Sequence, residues 1–259
     1  MNPIKGLLKK DYRISRFLFL TWIGAMLVML SFGIGMSAYT NQPAGTLTVI
    51  VLLGLSLAVF APVMMLSMLV TEGKNQLWLY SPRSSYSLLL SKFAIILIYQ
   101  LITQVLLTIY TAFSMYWFGK AVYEQLSIGL FLELAIFVNI GLVLLGIFLT
   151  CWITFYWTIY HALKRYPKIR NFRWLVIIFI FFGYNLLETL VLRIDAISTF
   201  IFKYNLDLLP LTSLNYEDES WNVLIDIVEI PIIPFFYFVI LSLFLFYIAS
   251  KLLAKKVEV

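Results

Sequence analysis

Three features of this sequence predict an all-α, polytopic membrane protein. It should have six transmembrane helices, an amphipathic interfacial helix at the N-terminus, and both termini in the cytoplasm. The first is composition: of 259 residues, 62% are hydrophobic and 12% charged, with a mean hydropathy of +0.94. A soluble domain carries roughly 25% charged residues, so this chain cannot cover its surface with polar groups. The second is the length of its apolar runs, which match the ~20 residues needed to cross ~30 Å of hydrocarbon. They are unbroken, whereas the short alternating strands of a barrel would not be. The third is the uneven placement of positive charge.

In chain order the uncharged runs are 17–39, 47–70, 93–118, 128–160, 174–194 and 231–250, within a single transmembrane domain, 1–259. The fourth would reach about 50 Å as a straight helix, so it is expected to tilt or to continue into the cytoplasm. Residues 1–16 place Ile4, Leu7, Leu8, Tyr12 and Ile14 near one face and Lys5, Lys9, Lys10 and Arg13 around the other. That pattern suits a helix lying along the inner leaflet, with its cations near anionic head groups. Residues 195–230 contain seven Asp or Glu and read as an external interfacial segment. Its apolar pieces 197–202 and 223–230 are expected to form short helices.

Orientation follows from Lys and Arg. With the N-terminus inside, 16 of the 19 basic residues fall on the inner side, and only Lys120, Arg193 and Lys203 fall on or near the outer face. This positive-inside bias, with an even number of spans, puts both ends in the cytoplasm. Inner acidic residues are few: Asp11, Glu72 and Glu258. The net charge of +6 does not indicate nucleic-acid binding, because the cations are divided among short loops rather than gathered on one patch. Cys151 is the single cysteine, which excludes a disulfide framework or a thiolate metal site. No cleavable signal peptide is evident, since the first apolar run is too long for one.

Catalytic signatures are missing from the sequence. It has no phosphate loop and no dinucleotide-binding turn, so the chain is not expected to hydrolyse ATP or to act as an enzyme. His161 is the sole histidine, too few for an H-E-x-x-H zinc site, and no G-x-S-x-G turn occurs. His161, beside Lys164 and Arg165, reads as an interfacial anchor. Ionisable residues within lipid are functional candidates, and here these are Glu133, Glu188 and Arg193, toward the outer ends of spans four and five. Glu188 is the deepest, and it suits a pair with Arg193 or with a neighbouring helix, or an outer aqueous cavity. Gln100, Gln104, Thr108 and Thr111 form a polar stripe on span three, which would either line a pathway or bond to another helix. Gly24, Ser31 and Gly35 in span one, with Gly33 and Ser37 beside them, permit close helix approach. Pro62 is expected to kink span two.

The loop after span two is the most informative segment. It runs Glu72, Gly73, Lys74, Asn75, Gln76, Leu77, Trp78, Leu79, Tyr80, Ser81, Pro82, Arg83, Ser84. An amphipathic turn carries aromatic residues beside charges and is stopped at Ser-Pro, since the residue before proline disfavours helix. Exposed aromatics of this kind suit a docking surface for a soluble partner, or they rest at the membrane surface.

At this loop the chain resembles the membrane subunit of bacterial ABC-2 type ABC transporters. The shared pattern is an acidic residue soon after span two, a short amphipathic helix over 73–80, the Ser-Pro-Arg-Ser turn at 81–84, then Leu88 to Leu90 and Ser91-Lys92 opening span three. The likeness of plan extends end to end, from the basic N-terminal helix to the external segment before the last span. The resemblance implies a permease in a bacterial cell membrane that pairs with a second copy, identical or related, to form half of a pathway. Each copy would bind a cytoplasmic ATPase, which supplies ATP and Mg; this chain would hold no cofactor itself. Glu72, Gly73, Lys74, Gln76, Leu77, Trp78, Tyr80, Pro82 and Arg83 would form the coupling helix, and the basic 161–173 loop a secondary contact. The small size is similar to exporters of amphipathic peptides, antimicrobials or lipids, including those of phenol-soluble modulins. Without a large extracytoplasmic domain, the chain is unlike the permeases that act as mechanical transducers. Two other classes stay in view: a membrane enzyme (an intramembrane protease or lipid transferase) built on Glu133, Glu188 and Arg193, and an ion-coupled carrier. The latter normally shows repeat symmetry or broken helices, and no repeat is visible here.

Overall fold

The computed structural model describes residues 3–75, 84–119, 127–201, 203–217 and 220–255, and within the paired strands 205–231 only the backbone between 206 and 230. Six of its helices are long and apolar enough to cross a membrane: α1 (Pro3–Thr40), α2 (Ala44–Asn75), α3 (Ser85–Phe113, continued by a π turn, Ser114–Phe118), α4 (Ile128–Ala162), α5 (Arg173–Leu192) and α7 (Ile232–Lys255). All six runs expected from hydropathy are therefore helices. Two starts are capped by serine: the Ser84 hydroxyl accepts from the Ser87 amide at the head of α3, and Ser127 accepts from Leu130 at the head of α4. Such caps satisfy one of the amides that a first turn leaves without a partner.

α2 and α3 form the middle of the bundle. α1 lies against both, α4 covers the other side of α2, and α7 fills the angle between α3 and α4. α5 touches α4 and has no buried residue. Large apolar side chains such as Phe17, Phe32 and Phe179 face outward, as expected of a surface whose solvent is lipid.

The N-terminal segment is helical, as its pattern predicts, but it is not a separate interfacial piece. It runs without a break into the first span, and its inward line is Leu8, Asp11, Ser15, Leu18, Trp22, Met26, Leu30, Gly33 and Ser37. This three-and-four spacing keeps one stripe on one side of a helix. Tyr12 and Ile4, on the expected apolar face, are turned away from the bundle.

Close approach of α1 and α3 rests on Gly33. A Cβ there would lie 2.3 Å from the Tyr110 hydroxyl and 3.0 Å from Val49 Cγ2, and that hydroxyl donates to the Leu30 carbonyl at 3.2 Å. Gly24 and Gly35, also expected at the contact, meet open space, and Ser31 is exposed and bonds back to Leu27. Gly33→Ala should therefore cost about 1–3 kcal/mol as overpacking, measured by SDS-titrated unfolding. Gly24→Ala and Gly35→Ala should be neutral or slightly stabilising, since alanine is the better helix former. Above this point α1, α2 and the π turn are tied by hydroxyls. Ser114 donates to Thr46 at 2.5 Å, and the Thr46 amide donates to Ser37 at 2.8 Å.

The segment before the last span differs from its expected form. A short helix α6 (Asp195–Ile201) forms where one was expected, but 223–230 is strand. β1 (Asn205–Glu217) pairs antiparallel with β2 (Ser220–Pro231), with an irregularity between Leu208 and Pro210. The run Val223, Ile225, Ile227 and Val228 is β-branched, which favours a pleated surface. These local preferences override the apolar periodicity that suggested a helix.

Candidate functional site

Four ionic side chains from three helices meet where α2 ends and α3 begins. Asp11 comes from α1, Glu72 from α2 and Lys92 from α3, and they are 0%, 1% and 1% exposed. Lys10 closes the group from its rim, its side chain 29% exposed. The Lys92 ammonium lies 2.9 Å from Asp11 Oδ1 and 2.8 Å from Glu72 Oε2. Lys10 donates to Glu72 Oε1 and sits 3.6 Å from Asp11 Oδ1. The charges thus alternate around a closed ring, Lys10–Glu72–Lys92–Asp11, with no net charge. The Ser91 hydroxyl donates to the remaining oxygen, Asp11 Oδ2.

Each ion was costly to remove from water, and only full pairing and hydrogen bonding offset that. In this ring every carboxylate oxygen has a partner. The geometry follows from ordinary helix positions. Asp11 falls on the buried stripe of α1, and Glu72 lies on the last turn of α2. Lys92 is two turns into α3, deep enough for its long stem to be covered. One turn further along, the Ser15 and Tyr99 hydroxyls are 3.1 Å apart and Phe19 stacks on Tyr99 at 3.9 Å. The ring therefore continues into an α1–α3 seam.

This arrangement changes the part expected of Glu72. Its carboxylate is directed into the bundle and is neutralised there by Lys92 and Lys10, and exposing it would leave the two lysines with Asp11 as their shared counter-charge. Glu72 is a positioning residue, and Gly73 beside it is also buried, while Lys74 is exposed. Gln76, Leu77, Trp78, Tyr80, Pro82 and Arg83 lie outside the described residues. Sequence reasoning used Lys92 as an inner charge and in the Ser91-Lys92 pattern that opens span three, and it counted Asp11 as an inner acid, but it placed neither in a site. The available signal was an acidic residue on a basic side of the protein, set at helical spacing between Leu8 and Ser15.

The polar stripe of α3 is brought onto α4. Gln100 Nε2 donates to the Leu142 carbonyl at 2.9 Å, and Gln104 Nε2 donates to the Asn139 carbonyl at 3.3 Å. Asn139 Nδ2 in turn donates to Thr108 at 2.9 Å. Gln100 and Gln104 are fully covered, so of the two readings of this stripe the observed one is a bond between helices. Thr111 bonds back to Leu107. Gly146 makes the contact possible, since a Cβ there would fall 2.7 Å from the Gln100 amide.

Glu133, Glu188 and Arg193 are not brought together. Glu133 and Arg193 are exposed, and no ion pair joins Glu188 to Arg193 among the described residues. Glu188 faces the Tyr184 hydroxyl instead, which also meets Tyr237 at 3.4 Å. A pair with Arg193 would have needed a long side chain to fold back from beyond the last turn of α5. His161 is an anchor in form: its Nδ1 is 2.9 Å from the Trp157 carbonyl and its ring stacks on Trp157. The 161–173 segment that follows exposes Lys164, Arg165, Lys168 and Arg170. Arg173 closes it back onto Tyr160, 4.3 Å above the ring.

Over its whole length the chain is 28% identical to the uncharacterized protein YhcE of Bacillus subtilis (strain 168), with both chains covered completely. No protein-family model and no solved structure matches it. The similarity therefore spans the helices that supply the ring as well as the loops between them.

Proposed function

We propose that this chain is the transmembrane subunit of an ATP-driven ABC exporter, forming half of a translocation pathway with a second permease copy and coupling to a separate cytoplasmic ATPase. One observation carries the reading: the two ends of the loop that resembles a coupling helix are clamped to each other and to α1. Glu72 precedes that loop and Lys92 follows it, and their ion pair at 2.8 Å makes the α2 and α3 ends a single base. A push on a loop mounted this way moves three helices together. A loop on two independent stalks would absorb the push. The exposed cations at 164–170, on the same side of the bundle, supply a second surface for an acidic face of the ATPase.

ATP binding would close the ATPase pair and drive the bases of α1–α3, opening a path between the permease copies. Polar groups inside the bundle are few and its interior is mainly aliphatic and aromatic, so an amphipathic substrate such as a peptide, an antimicrobial or a lipid-like molecule suits it best. Orientation follows the positive charge, with both termini in the cytoplasm of a bacterial cell.

The test is co-purification with candidate ATPases, followed by transport in vesicles. Trp78→Ala should lower ATPase recovery at least tenfold while leaving unfolding of the permease unchanged. If no ATPase co-purifies with the native chain, or if Trp78→Ala and Arg83→Ala leave ATP-dependent transport intact, the assignment fails.

A further inference from the structure

Two buried acceptors in the α3–α4 seam meet no donor among the described residues. Gln100 is 0% exposed and Gln104 2%, and each spends its amide nitrogen on a carbonyl of α4. The carbonyl oxygens of the same two side chains, Gln100 Oε1 and Gln104 Oε1, have no hydrogen-bond partner there. Reversing either amide would not help, because an oxygen would then face the α4 carbonyl and the bond to it would be lost.

The hydroxyls on these two helices do not supply the proton. Thr103, Thr108 and Thr111 donate back to carbonyls of α3, and Thr150 and Thr154 donate back to α4. Asn139 commits its amide nitrogen to Thr108 and to the Ala135 carbonyl. What these groups leave over is lone pairs, so the seam holds more acceptors than donors. A buried acceptor left unpaired costs more than a typical bond contributes, and lipid tails offer no donor to relieve it.

The partner must therefore donate, and it must be small, because both side chains are covered. Gln100 and Gln104 are four positions apart on one face of α3, a rise of about 6 Å. A molecule between them that makes two hydrogen bonds of about 2.8 Å reaches both oxygens. Water does so with its two protons, and a buried water ordinarily has two to four polar partners. A monovalent cation would also seek oxygens, but its charge would need a counter-charge in this interior. The two buried carboxylates, Asp11 and Glu72, are already committed to the ring.

We propose that one water molecule is bound in the α3–α4 seam, donating one proton to Gln100 Oε1 and the other to Gln104 Oε1. It joins the two glutamine contacts into one polar line, from the Leu142 carbonyl through Gln100 and Gln104 to Asn139 and Thr108. The site does not depend on the transport reading.

The test is water-edited solid-state NMR of the full chain, carrying 13C-labelled glutamine and methionine, in phosphatidylcholine vesicles. Transfer from water to the Gln100 and Gln104 side-chain carbonyl carbons should be at least fivefold faster than to the Met26 methyl. Met26 is as deeply covered, at 2% exposed, but lies on α1. Gln104→Leu should cut transfer to Gln100 at least fivefold, because the water then keeps one acceptor of two. Gln100→Leu should do the same to Gln104. Transfer to both carbons of the native chain at the Met26 rate would overturn the site. Full transfer to Gln100 that survives Gln104→Leu would overturn the bridge. Chemical shifts of the two carbons that change when sodium chloride is exchanged for N-methylglucamine chloride would assign a cation instead and overturn the water.

Discussion

Lys92→Met should cost about 3–5 kcal/mol of stability, the usual penalty for stripping one partner from a buried ionic group. Asp11 and Glu72 would then share Lys10, at the rim, as their only cation. SDS-titrated unfolding of the reconstituted chain measures the loss. The ring form makes a sharper prediction than any single replacement. Exchanging one pair, Glu72→Lys with Lys92→Glu, keeps that contact attractive. It also sets the new ammonium at position 72 beside Lys10 and the new carboxylate at position 92 beside Asp11. If the four charges act as a ring, this exchange should be at least as harmful as Lys92→Met. Inverting all four, with Lys10→Glu and Asp11→Lys added, restores alternation and should recover most of the loss. Recovery by the simple exchange would mean that Glu72 and Lys92 act as an isolated pair. Failure of the fourfold inversion would mean that side-chain length or Ser91, rather than alternation, governs the site. In the exporter reading, the same series should move the ratio of transport to ATP hydrolysis while ATPase recovery stays unchanged.

Gly146→Val should have the second largest effect, about 2–6 kcal/mol. The added atoms meet the Gln100 amide, at 2.7 Å for the Cβ alone, inside a contact with no exposed surface. Overpacking contributes about 1–3 kcal/mol, and an amide driven from its carbonyl partner in a covered site contributes about 1–3 more. Gln100→Ala on its own removes one bond from α3 to α4 and leaves the Leu142 carbonyl within its own helix. Placed in the Gly146→Val background, Gln100→Ala should relieve the clash, so the double variant should be more stable than Gly146→Val alone. Strict additivity of the two losses would refute direct contact between these residues.

The membrane architecture was readable because each span states itself locally. Twenty apolar residues can satisfy their backbone in lipid only as a helix, whatever their neighbours do. The hairpin was less legible, because 223–230 is apolar enough for an interfacial helix. Pro210 and the β-branched run set against that reading are weak signals until two segments pair.

The site was only partly legible. Glu72 stood out as an acid beside a membrane span, but its partners lie at Lys10 and Lys92, the first of them 62 positions away in the chain. Charge counting placed both lysines of the ring on the inner side, since it records the side of the membrane and not depth or direction. The polar stripe of α3 was visible as spacing, whereas its partner, the α4 backbone near Leu142 and Gly146, was not. A stripe states which face of a helix is polar but carries no information about which helix will cover it.

The sequence by itself determined that this protein lives in a membrane and how many of its helices are long and apolar enough to cross it, because those are contests between one segment and its solvent. Only the tertiary structure decided that Asp11, Glu72, Lys92 and Lys10 form a neutral ring, that Gly33 rather than Gly24 or Gly35 is the point of contact, and that the polar stripe of α3 bonds to the backbone of α4. Those outcomes depend on distances between helices. Such distances are set by the packing of every side chain in the seam, and no stretch of sequence contains both sides of it.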